Sequence, residues 1–167
     1  MKFSTIGLLL FTFVCLSGCG GEKRPDGMPP LYSAVCVKVV QDGKPLEDAI
    51  VSLRPDEKGF TWGIGGRTDA QGVAQLWTHG KYKGAPAGTF KVVVTKEVKD
   101  GEKELTEALT RNDEKAAAAI KVQCFSFVED KFSSESQTPV KLEITPSSKT
   151  LEVDVSPAVK IEKPYMK

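Results

Sequence analysis

Four residues with recognition chemistry fall close together in the chain: Trp62, Trp77, His79 and Tyr82. Flat aromatic faces stack on sugar rings and anchor protein partners, and an imidazole beside them adds a hydrogen-bonding, titratable group. The same pattern also arises when tryptophans are covered by neighbouring elements. Solvent exposure of Trp62 and Trp77 separates the two readings. His79 is the only histidine, too little imidazole for the ligand sets that zinc prefers. Neither a metal site nor a cofactor is expected.

Catalysis needs groups with matched pKa values converging on one pocket, and no such constellation is visible. The chain has no Gly-x-Ser-x-Gly nucleophile motif. Glu47 and Asp48, like Glu129 and Asp130, are adjacent, so on an extended chain they point to opposite faces. Asp69 reads as a turn residue, because no further acids follow at calcium-ligand spacing. No catalytic residue is assigned, and a non-catalytic role is expected.

The N-terminus carries a different chemistry. Lys2 is the only charge before an apolar run from Ile6 to Val14, shorter than the ~20 residues a membrane-spanning helix needs. A basic start, a short apolar stretch and small residues before a cut describe a secretory leader over residues 1–18. Leu16-Ser17-Gly18-Cys19 resembles the lipobox of bacterial lipoproteins. That resemblance implies a diacylated Cys19 as the mature N-terminus, held in a membrane by its acyl chains. Gly20 in place of aspartate implies the outer rather than the inner membrane. Residues 19–32, rich in glycine, proline and charge, read as a flexible tether.

Of the four cysteines, Cys15 leaves with the leader and Cys19 takes lipid. Cys36 and Cys124 remain. Outside the cytoplasm they are expected to form a disulfide, the alternative being two buried free thiols that pack as small apolar groups.

Charge adds an exclusion. The chain has 23 basic and 22 acidic side chains, and losing Lys2 with the leader leaves 22 of each. Such a balance does not suggest a basic groove for nucleic acid or a basic patch for anionic lipid.

The elements that must position the aromatic cluster are strands. Val35, Val37 and Val39 alternate, as do Ala49, Val51 and Leu53, then Phe90, Val92 and Val94. Turn chemistry separates them, with Asp42-Gly43 between the first two runs. If Ala74 and Leu76 face the core, Trp77 and Val73 face outward. Residues 79–87 read as a long loop. Glu102 to Val122 is rich in helix formers, with Asn112-Asp113-Glu114 as a capped start, so one short inserted helix is expected, able to cover an outward tryptophan. Val140, Leu142 and Ile144, then Leu151, Val153 and Val155, read as a closing hairpin. Residues 158–167 read as a loose tail.

Gly43-Lys44-Pro45-Leu46, Ala49-x-Val51, Thr68-Asp69-x-x-Gly72 and Gly88-x-Phe90-x-Val92-x-Val94 resemble a carboxypeptidase regulatory-like domain. This implies a mainly β, Greek-key, transthyretin- or Ig-like sandwich of about seven strands over residues 33–157. Asp48 departs from the glycine that such domains usually carry before the alanine, which bears on the local turn. Enzymes of the broader architecture use several histidines with an arginine, or two histidines with two tyrosines for iron; His79 alone fits neither. The chain thus reads as a lipid-anchored protein of the bacterial cell envelope, a structural or protein-binding module or alternatively a glycan-binding one, with loops carrying Trp62 and Tyr82 as the expected binding surface.

Overall fold

Alternation of apolar and polar residues, one side chain to each face of an extended chain, organises the computed structural model, which describes residues 24–56 and 61–165. The leader, Cys19 and residues 57–60 lie outside the described residues.

The first strand, β1 (Cys36–Gln41), turns through Asp42 and Gly43 into β2 (Lys44–Pro45). Both turn residues have positive φ, 50° and 73°, as a two-residue hairpin demands. Then come β3 (Ile50–Pro55), β4 (Ile64–Arg67), β5 (Val73–Gln75), β6 (Trp77–Thr78), β7 (Tyr82–Lys83), β8 (Gly88–Thr95) and β9 (Glu97–Asp100). Two helices follow, α1 (Glu102–Thr110) and α2 (Glu114–Ala119). The chain ends through β10 (Gln123–Ser126), the short α3 (Asp130–Ser133), β11 (Lys141–Ile144), β12 (Thr150–Asp154) and β13 (Ile161–Lys163).

The fold is mainly β. One sheet has six strands in the order β11-β8-β3-β4-β6-β7. A second has the order β12-β1-β2, with β5 also paired to β1. Their inner faces share one core. Val35, Val37, Val39, Val153 and Val155 come from the second sheet and its flanks, and Val51, Leu53, Phe90, Val92 and Val94 from the first. Each such side chain contributes about 1.5–3 kcal/mol on burial. A third sheet, β13-β10-β9, carries the helices between two of its strands.

Polar side chains hold the turns. Thr68 Oγ1 donates to the Leu46 carbonyl at 2.6 Å and accepts from the Ala49 amide at 2.8 Å. Asp69 Oδ1 accepts from the Gln71 and Val73 amides, both at 2.9 Å, which is the turn role its sequence context predicts. Asp48 takes the left-handed conformation, φ 56°, so an aspartate supplies the geometry that glycine would otherwise provide.

Several expectations change. The chain has more and shorter strands than about seven, and the helical stretch is two helices rather than one. Asp113 does cap the second, accepting from the Ala116 amide at 2.9 Å. The expected closing hairpin does not form. β11 pairs antiparallel with β8, whereas β12 crosses to pair parallel with β1, because each strand has one apolar face and the two sheets each need an edge. Within the expected loose tail, residues 161–163 pair with β10. The disulfide is not formed either: Cys36 and Cys124 are both free. They lie on β1 and β10, strands of different sheets, and the Cys36 thiol points to Gln75 Oε1 at 3.7 Å. Among the described residues no helix is long and apolar enough to cross a membrane.

Candidate functional site

The outer face of the six-stranded sheet is set by strand register. Ser52 on β3 pairs with Gly65 on β4, and Gly65 pairs with Trp77 on β6. Directly paired residues share a face, so Ser52, Gly65 and Trp77 form one row. Gly65 contributes no side chain to it. A Cβ there would stand 2.5 Å from the Val51 carbonyl oxygen, and one at Gly66 would stand 2.3 Å from that of Gln75. Both glycines are therefore required by close backbone approach. The missing side chain opens a shallow groove of about 530 Å³ between Ser52 and Trp77.

The groove's walls combine apolar surface and positive charge. Trp77 is 41% exposed and Ile50 46%, large values for such side chains. Arg54 and Arg67 line the groove with them. Among the described residues no carboxylate lines it. The acids that reach the two guanidiniums are peripheral: Arg67 Nη1 stands 3.6 Å from Asp48, and Arg54 Nε 3.8 Å from Glu135. Exposed pairs at such distances contribute about 0–1 kcal/mol, so they compete weakly with a ligand. The nearby Asp56 is engaged elsewhere, accepting from Lys141 Nζ at 2.7 Å. That hydrogen bond and the lysine's charge hold its carboxyl below the usual range.

The four aromatic candidates divide. Trp77 and His79 line the groove. His79 sits at positive φ, 56°, followed by Gly80 at 66°, in the tight turn that joins β6 to β7. Its amide donates to the Gly63 carbonyl at 2.6 Å. Trp62 is half-buried and meets the imidazole edge-on, ring centroids 5.6 Å apart, so it supports the groove's end from behind His79. Tyr82 belongs to the other face. It pairs with Thr78, whose buried hydroxyl donates to the Gly84 carbonyl at 2.8 Å. The parity that turns Trp77 outward turns Tyr82 away from it.

Arg54, Arg67, Ile50 and Ser52 were not singled out by motif. The signal that finds them is alternation: they are the outward positions of β3 and β4, on either side of the inward Val51, Leu53 and Ile64. Trp77 stays 41% exposed, so the reading in which neighbouring elements cover it does not hold.

A second cleft, of about 420 Å³, lies on the third sheet. Cys124, only 6% exposed, has Lys99 and Lys163 as its cross-strand partners. Each ammonium already has a carboxylate: Lys99 Nζ donates to Glu102 at 2.8 Å and Lys163 to Asp130. The Glu102 hydrogen bond raises Lys99 above its usual value. Among the described residues no three of His, Cys, Asp and Glu gather where they could hold a metal ion.

Comparison with protein-family models, curated proteins and solved structures finds no match to this chain.

Proposed function

We propose that this protein is a non-catalytic, lipid-anchored binding module of the bacterial cell envelope, and that it binds through the outer face of its six-stranded sheet. The observation that carries the reading is Trp77. A large aromatic left 41% exposed beside a groove removes apolar surface from water only when something lies on it. A rigid sheet is also a good platform, since strand positions are held by the ladder and not by loop conformation. The anchoring part of the proposal rests on Leu16-Ser17-Gly18-Cys19 and its resemblance to a lipobox. The sandwich of two sheets on one core is compatible with a carboxypeptidase regulatory-like domain. The partner is then an envelope component, a protein or a glycan.

The test is retention of isolated envelope components by the full-length protein reconstituted in vesicles. Trp77→Ala should reduce retention about tenfold or more, as loss of a central aromatic anchor does. Lys38→Ala, on the outer side of the opposite sheet, should leave it unchanged. Equal retention by all three proteins would place the binding surface elsewhere.

A further inference from the structure

The groove has a composition that a generic protein-binding patch does not require. Its floor is backbone at Gly65, its side wall is Trp77, its polar lining includes the Ser52 side chain, and its charges are the guanidiniums of Arg54 and Arg67. Arg67 lies opposite Ile50, four positions from Arg54 along β3. At roughly 3.3 Å per residue the backbone positions that carry the two arginines are about 13 Å apart along the strand direction. Trp77 and Gly65 lie in the row between them. The occupant therefore needs a flat face with polarised C–H groups for the indole, a slim profile to rest on bare backbone, and negative charge towards both ends. Arginines on either side of the Trp77 row favour an occupant with more than one negative group, and a neutral sugar leaves them only their weak peripheral acids.

We propose that this groove takes an acidic oligosaccharide, with a pyranose ring against Trp77 and uronate carboxylates on Arg54 and Arg67. The proposal rests on the outer sheet face being the binding surface and names its ligand class. Arginine's planar fork pairs with a carboxylate through two parallel hydrogen bonds. The peripheral acids at 3.6 and 3.8 Å are displaced or shared on binding. Ser52 and His79 supply hydrogen-bonding groups for ring hydroxyls, and Trp62, edge-on to His79, keeps the imidazole at the groove's end. Because the charges are exposed, binding weakens with added salt.

The experiment is isothermal titration of the full-length protein in detergent micelles with trigalacturonate, maltotriose and tri-glutamate. Trigalacturonate should bind saturably, and both maltotriose and tri-glutamate at least about tenfold more weakly, because each lacks either the charge or the stacking face. Trp77→Ala, Arg54→Gln and Arg67→Gln should each weaken trigalacturonate about tenfold while keeping the wild-type Tm, and Trp77→Phe should restore most of the loss. Absence of saturable trigalacturonate binding overturns the proposal. So does equal affinity for maltotriose, equal affinity for tri-glutamate, or unchanged affinity in the folded variants. If trigalacturonate fails while retention of envelope components still depends on Trp77, the ligand class falls and the binding face stands. If neither depends on Trp77, both fall.

Discussion

Ser52 and Trp77 face each other across Gly65, as register partners of that one residue on either side of it. The relationship turns a row of three strands into a trough with an aromatic wall. It also explains why the groove lies on a sheet face rather than among loops. The glycine is there because its neighbours' backbones come too close for a side chain, and the trough is the consequence.

Thr68 ties the turn before β3 to the turn after β4. Its hydroxyl serves the Leu46 carbonyl and the Ala49 amide and is 2% exposed. Thr68→Val keeps the shape but leaves those groups without the partner. The expected loss is about 1–3 kcal/mol, read from the urea midpoint at constant m-value. A change of a few tenths would mean that water replaces the hydroxyl.

Much of this architecture is legible in the sequence. Val35, Val37 and Val39 alternate because one face is core, and the same is true of Phe90, Val92 and Val94. Asp42-Gly43 announces its hairpin, and Asp113 its helix start. Strand destinations are less legible. The alternation in Leu142 and Ile144 is the same whether β11 joins its sequence neighbour or crosses to β8, because a period of two reports a buried face and not which sheet offers it. The site was half legible for the same reason. Parity placed Trp77 outward. Tyr82 looked like its companion in sequence, yet the tight turn at His79 and Gly80 reverses the chain and pairs Tyr82 with the inward Thr78. Arg54 and Arg67 carry no motif, and only register brings them to one groove.

The thiols of Cys36 and Cys124 are free in the fold, on different sheets. In the unfolded, unreduced protein both Cys36 and Cys124 should react with a maleimide. In the folded protein Cys36, half-buried, should react well before Cys124. Failure of both to react after unfolding would show that they had been joined.

Stability should fall in acid. Asp154 accepts from the Ser156 hydroxyl and amide, which holds its carboxyl below the usual range, and Lys141 does the same for Asp56. A carboxyl whose pKa is lower in the folded state contributes stability above its unfolded pKa and loses it as pH falls through the folded value. The loss therefore sets in near pH 4 and grows below it. Thermal unfolding of Asp56→Asn/Asp154→Asn should fall less steeply than wild type between about pH 4 and 2. Parallel curves would assign the acid sensitivity to other carboxyls.

Lipid attachment at Cys19 is open to direct chemistry. Cells fed a palmitate analogue should label the wild-type protein and not Cys19→Ser, which should also leave the membrane fraction. Equal labelling of the two would remove the anchor from the account.

The sheet face around Trp77 should be occupied in the envelope. Hydroxyl-radical footprinting of the protein in intact envelopes, compared with the purified full-length protein in micelles, reads this at single residues. Leu109 on α1, 57% exposed and not among the residues that line the groove, serves as the reference. Trp77 should lose most of its oxidation in the envelope while Leu109 keeps its own, and added trigalacturonate should protect Trp77 in the purified protein in the same way. Equal oxidation of Trp77 in envelopes and in micelles would contradict it.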